Sequence, residues 1–472
     1  MSFNSFEYLL FFPAVAIIFF VTPQKFRWFI LLAASCFFYM TVLPYAILFV
    51  GITVVNDYTA TRLIEKYQDK KKIFLWQSLI VNLGLFFLFK YYNFFSESIS
   101  DVGLSIPYIK LILPIGLSFY TFKSIGYVIE VYRGEIKAER HLGRYALFVL
   151  FFLEILAGPI DRGKNLLPQF YEKQKFDYLR IRDGLILVMW GVFKKVVIAD
   201  RLALIVNHVY GNLDEYSGVP LILIAVLFSF QIYFDFSGYT DIALGCGKIL
   251  GFNLPENFNL PLISQSITEF WRRWHISLST WLRDYLFTPL AIATRDWGKL
   301  SVVFSLFLTF LIAGIWHGAG WTFIIFGALH GAALVYEFIS KNFRKKLAKI
   351  FPKFIYDRAC NLIMFAFISF AFIFFRSDNI SQAMYYLTHM FTNLNLKFGG
   401  YNLGIGQFEF WLAVLLIVSA MTIEIRTAKN EGLIKFVSSK PRFFRWGFYY
   451  AVIILIICFG VFGESSFVYF KF

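Results

Sequence analysis

Twelve apolar stretches, half of them long enough for a helix to cross a hydrocarbon core of about 30 Å, run through this chain and dictate what it can fold into. They lie near residues 7–22, 28–41, 42–56, 73–93, 110–130, 184–199, 219–237, 301–316, 321–340, 361–376, 408–424 and 447–463. Backbone in lipid must satisfy its own N–H and C=O groups, and for single runs of this length the solution is the α-helix. The chain therefore reads as an all-α polytopic membrane protein. Composition agrees: 58% hydrophobic and 16% charged residues, with 61 phenylalanines in 472, are far outside the range of a soluble domain.

A net charge of +15 would suit nucleic acid, but the basic residues sit in short clusters between apolar runs rather than along one solvated face. That pattern orients a protein in a bilayer and gives no reason to expect a nucleic-acid partner. The clusters at 66–72, 133–144, 341–353 and 440–445 are all expected on the cytoplasmic side. The same count leaves the C-terminal tail, 464–472, extracytoplasmic. The four cysteines, Cys36, Cys246, Cys360 and Cys458, are scattered singly, with no spacing for a disulfide framework or a zinc site. The N-terminus lacks a basic n-region and a small-residue cleavage site, so it reads as a retained first span. No repeat, low-complexity tract or linker interrupts residues 1–472, which are expected to form a single integral membrane domain. Residues 145–170 and 238–300 do not fit simple spans. Polar or irregular backbone at membrane depth survives only around a cavity or inside protein, so both regions are expected near the functional site.

Three stretches carry candidate chemistry. In "FWRRWHISLSTWLRDYLF", residues 270–287, helical spacing would align Arg272, His275, Ser279 and Arg283 in one stripe and the tryptophans in another. Such a helix either lies at the interface or, with Arg273 adding a further guanidinium, meets an anionic ligand such as the phosphates of a nucleotide cofactor. In "GIWHGAGWTFIIFGALHG", residues 314–331, His317 follows Trp316 at a span end. Gly318 and its small neighbours would let another molecule approach the imidazole closely. His330 lies further along, with Glu337 two turns on as a possible partner. Ionisable groups at this depth are functional candidates by default. Asp235 and Asp241, in or beside the 219–237 span, either bind an ion or orient a base, or else pair structurally with Lys194, Lys195 or Arg201. The last is the favoured reading. His141, His208 and His389 read as structural or solvated. Phosphate-loop, dinucleotide, serine-elbow and metal signatures are missing from the sequence, so any catalysis is expected to rest on histidine.

Seven blocks in order, at 113–134, 157–170, 193–203, 233–245, 250–261, 270–285 and 314–331, resemble the membrane-bound O-acyltransferases, in particular the branch of alginate and peptidoglycan O-acetylation subunits. Two positions depart from that pattern: Glu154, near which proline is usual, and Asp161, where an apolar residue is usual. The resemblance implies a ring of about 11–13 transmembrane helices, with re-entrant and interfacial helices, around a central tunnel. It implies acetyl-CoA as donor, His317 as the general base and His275 as the second histidine, with Arg272, Arg273, Arg283 and Ser279 serving the donor. Trp316, Gly318, Asp235, Asp241 and His330 line or orient the tunnel in this reading. Its implied partners are an SGNH-hydrolase-like extracytoplasmic acetyltransferase and a polysaccharide, in a bacterial inner membrane. The aromatic tail resembles that of the partner peptide in the related D-alanylation system, which makes Tyr469 a candidate acyl relay, with an interfacial anchor as the plain alternative. A transporter or flippase, or transfer of another acyl group such as D-alanine, are the rival readings.

Overall fold

The computed structural model describes the chain except residues 2, 101–106, 110, 157, 395–401, 430–431 and 464–472, so the expectations for Tyr469 and the tail around it fall outside the described residues. Every apolar window lies on a helix, and among the described residues there is no strand. Eight helices are long and apolar enough to cross a membrane: Pro44–Lys66, Gln68–Lys90, Val219–Leu250, Lys299–His317, Trp321–Ile339, Lys353–Arg376, Gln407–Ala428 and Arg442–Phe459. Phe6–Val21 is a shorter apolar helix. The windows at 28–41 and 110–130 became the 17-residue helices Gln24–Met40 and Leu117–Arg133. The window at 184–199 became Tyr178–Val192, which runs into a π-helical turn at Phe193–Ala199.

The chain packs as two compact units, residues 1–188 with 239–256, and residues 189–238 with 257–472. The first is built on aromatic contacts: Phe38 lies 5.9 Å from Phe3, Tyr8 and Phe152. Two of its buried carboxylates are paired, as low dielectric favours. Asp57 accepts from Ser78 Oγ at 2.6 Å and Asn82 Nδ2 at 2.8 Å, and also from Ser124. The departure at Glu154 has a partner too: this buried carboxylate pairs with Lys123, whose Nζ also donates to the Phe148 carbonyl at 2.6 Å. Residues 145–170 are, as expected, no clean span. They form a helix ending at Leu150, a buried irregular stretch, and the short helix Gly163–Gln169.

The second unit holds the candidate site. Its Lys299–His317 and Trp321–Ile339 helices cross so closely that Cβ atoms have no room at the seam. A methyl on Gly314 would stand 2.4 Å from the Phe323 carbonyl oxygen, and one on Gly327 would stand 2.6 Å from the Phe310 carbonyl oxygen. Small residues permit such backbone approach between membrane helices. This seam fixes where His317, the last residue of its helix, meets the residues of the next.

Candidate active site

The stretch expected as one amphipathic helix over 270–287 is not one helix. It forms Ile267–Arg273, then Ile276–Leu282, then a π-helical turn at Arg283–Phe287. Ser266 caps the first, accepting the Glu269 N–H at 3.1 Å, while Glu269 Oε2 accepts the Gln265 N–H at 2.8 Å. The break falls at His275, whose backbone is left-handed, with φ of 43°. Asn257 causes it. Its carbonyl accepts the Ile276 N–H at 3.0 Å, and its side-chain oxygen accepts the Ser277 N–H at 3.1 Å and the Ser277 hydroxyl at 2.8 Å. An asparagine from a neighbouring loop thus takes the place of a helical turn.

That geometry fixes the proton on His275. The backbone N–H of Ser277 can only donate, so the Asn257 atom facing it is oxygen, and the same oxygen lies 3.1 Å from His275 Nδ1. Nδ1 must therefore be the donor, leaving the lone pair on Nε2. His275 is fully buried, with its ring 4.8 Å from Phe236 and 6.4 Å from Trp316. Burial pushes its pKa down to about 3. The imidazole is neutral throughout the physiological range, a hydrogen-bond acceptor at Nε2.

His317 is 5% exposed and sits among rings: Trp316 at 4.9 Å, Phe375 at 5.4 Å and Phe326 at 5.8 Å. His275 and His317 thus share one indole, Trp316, as a ring neighbour. The expected role of Gly318 needs correction. A Cβ there would lie 2.2 Å from the Phe323 ring, so the space beside His317 freed by that glycine is filled by the chain's own phenylalanine. Gly320, with no heavy atom nearer than 3.6 Å to such a Cβ, is open.

His330 is also corrected. Its partner is not Glu337 but Trp271, whose indole N–H donates to His330 Nδ1 at 3.2 Å. Glu337 instead pairs with Arg344 at 3.5 Å and accepts the Thr268 N–H at 3.0 Å. Phe326 lies between the two histidines of this helix pair, 4.5 Å from His330 and 5.8 Å from His317.

The arginines do not share the face of His275. Arg272 and Arg283 are exposed, Arg283 paired with Asp284 at 2.8 Å. Arg273 pairs with Glu269 at 2.9 Å and bonds the Asn259 carbonyl. Ser279 donates to the Trp274 carbonyl at 3.2 Å. The periodicity argument assumed an unbroken helix, and the turn at His275 rotates that residue inward.

Asp235 takes the structural role. Lys195 Nζ lies 2.7 Å from both Asp235 and Asp200, all three buried. Lys194 pairs with Glu424 at 3.2 Å, and Tyr233 donates to the same carboxylate at 2.6 Å. The π-helical turn frees the Val196 carbonyl to accept the Val461 N–H at 2.8 Å, and Arg201 donates to the Phe459 carbonyl at 2.8 Å. Asp241, on the same helix as Asp235, belongs to the first unit and is half-buried. Asn257 was not singled out from the sequence and Trp271 only as one of the tryptophan stripe, although both lie inside blocks that carry the family resemblance.

The family model for membrane-bound O-acyltransferases matches residues 134–378, which include both histidines of the site. The chain belongs to that family. It is a multi-pass membrane acyltransferase. It is 42% identical over 351 residues to a probable alginate O-acetylase, AlgI, of Azotobacter vinelandii, covering 71% of this chain and 68% of that protein. It is 37% identical over 389 residues to a peptidoglycan O-acetyltransferase of Helicobacter pylori, covering 76% and 73%. A teichoic acid D-alanyltransferase of Bacillus subtilis is 34% identical over 250 residues, covering 49% of this chain and 61% of the relative. The acyltransferase spans about two thirds of the length of its alginate relatives, 66% in Pseudomonas aeruginosa.

Proposed function

We propose that this acyltransferase takes an acetyl group from cytoplasmic acetyl-CoA and delivers it for O-acetylation of an extracytoplasmic polysaccharide, alginate-like or peptidoglycan, from the bacterial inner membrane. The observation that carries the site assignment is the pair of buried histidines against one indole, Trp316. His317 acts as general base. A hydroxyl is a poor nucleophile at neutral pH, and a neutral imidazole in reach takes its proton as the oxygen attacks the thioester carbonyl. The C–S bond breaks, and the departing coenzyme A thiolate recovers that proton from the imidazolium. His275, held as the Nδ1–H tautomer, orients a reactant by accepting a hydrogen bond at Nε2 rather than by donating to an oxyanion. Arg272, Arg273 and Arg283 provide positive charge for the phosphates of the donor.

The acceptor is a hydroxyl on the far side: Tyr469 as relay, then an SGNH-hydrolase-like acetyltransferase. The similarity to a D-alanyltransferase keeps D-alanine as the second acyl group to test. Membranes carrying the full chain, incubated with radiolabelled acetyl-CoA, should transfer label with the native residues and not with His317→Ala at equal membrane insertion. Unchanged transfer by that variant would overturn the base assignment. Normal acetylation by Tyr469→Phe would remove the relay and leave the tail an anchor.

A further inference from the structure

Away from the histidines, a cavity of about 430 Å³ opens beside the Lys341–Ile350 helix. Its walls come from the Trp321–Ile339 and Lys353–Arg376 helices, both candidate membrane spans, from the Lys341–Ile350 helix and from residues 265–267, and are mainly apolar, with Ala333, Phe343, Leu347, Ala359, Ile363 and Met364 among them. The Lys341–Ile350 helix closes one side with two distinct faces. Phe343, Leu347 and Ile350 recur at helical spacing, with Phe343 and Leu347 in the cavity wall. The remaining surface carries Lys341, Arg344, Lys345, Lys346 and Lys349, with no acidic residue in the helix.

Arg344 is used internally. It pairs with Glu337 and donates to the Glu337 carbonyl at 2.9 Å, pinning the helix against its neighbour. Lys341, Lys345, Lys346 and Lys349 form no ion pair among the described residues. A strongly basic amphipathic helix of this kind lies in the plane of a membrane interface, and its lysines favour anionic headgroups over zwitterionic ones. Here its apolar edge also borders a cavity of a volume that suits one hydrocarbon chain. A soluble anion would find the charge but not the apolar volume; a zwitterionic lipid would fill the volume without using the charge.

We propose that this cavity is a binding site for one anionic phospholipid, with an acyl chain between Leu347 and Ala359 and its phosphate among Lys345, Lys346 and Lys349. The site is independent of the acyl-transfer reading and is tested without an activity assay. Cys360 lines the cavity and serves as the reporter. The full chain is placed in phosphatidylcholine nanodiscs and in mixed phosphatidylcholine and phosphatidylglycerol nanodiscs, and maleimide labelling of Cys360 is followed by peptide mass spectrometry. Phosphatidylglycerol is expected to slow labelling at least ~5-fold, and native mass spectra to show one retained phosphatidylglycerol. Lys345→Gln/Lys346→Gln/Lys349→Gln should weaken that retention about tenfold, and Ala359→Trp should abolish it by filling the volume. Where size-exclusion chromatography shows that Ala359→Trp does not fold, Ala359→Leu replaces it. Equal labelling in both nanodiscs, or retention by a folded cavity-filling variant, overturns the proposal. Protection by inorganic phosphate alone overturns it in favour of a simple anion patch, and displacement by coenzyme A overturns it in favour of a donor entrance.

Discussion

The corner around His275 and the helix end at His317 solve opposite problems with the same side chain. His275 is locked: a left-handed backbone, the Asn257 oxygen on Nδ1 and Phe236 against its ring leave one tautomer in one orientation. His317 ends its helix among the rings of Trp316, Phe326 and Phe375. In the proposed mechanism the two have separate tasks. His275 presents one lone pair and is oriented by a hydrogen bond, as imidazoles in working sites generally are, whereas His317 would gain and lose a proton within one turnover.

The largest effect expected is at His317. Replacement by alanine should lower acetyl transfer by about 10²–10⁴-fold, measured as label transferred per inserted protein. Next is Asn257→Ala, which removes the acceptor that sets the His275 tautomer and leaves the Ser277 N–H unsatisfied. Transfer should fall about 10–100-fold, the range seen when a histidine loses an orienting partner, with a loss of about 1–3 kcal/mol in stability. Asn257→Asp, which keeps an acceptor, should recover part of the transfer. Equal losses at Asn257→Ala and Asn257→Asp would show that the His275 tautomer is not what Asn257 contributes.

A third effect is on pH dependence. Burial lowers the pKa of His275 in the folded chain to about 3, against an ordinary value near ~6.5 when unfolded. The unfolded chain therefore binds the extra proton between those values. Stability is complete above about pH 6.5 and falls as the pH drops toward 3, by about 2 kcal/mol at pH 5. Thermal unfolding in detergent from pH 7 to 5 reads this, and His275→Gln should reduce the dependence by that amount. The smallest expected change is Trp271→Phe. It deprives His330 of its indole donor at a cost of about 1 kcal/mol and should leave transfer nearly intact, since His330 touches Phe326 rather than His317 directly.

Much of this was legible in the sequence. The helices follow from apolar length, and the pairing of Asp235 with Lys195 from the cost of a buried carboxylate. The failures share one cause. Reading along a helix supplies neighbours three and four residues away, so Glu337 was the natural partner for His330, whereas its partner Trp271 comes from 59 residues away in the chain. The continuous stripe through 270–287 failed for the same reason, because Asn257 acts on it from 18 residues upstream of His275. Gly318 was read as leaving room beside His317 for another molecule. What the sequence alone could not say was that Phe323, five residues on, already claims that room.

The glycine seam between Lys299–His317 and Trp321–Ile339 carries a mechanical consequence. Where side chains interdigitate, two helices can slide by rearranging rotamers; where backbone rests on backbone there is no compliant layer to shear. The pair therefore behaves as one stiff strut with His317 mounted at its tip. Any rearrangement near the site is then expected to come from the surrounding elements, with His317 keeping a constant reference position, and the amide hydrogens along the seam should exchange among the slowest in the chain.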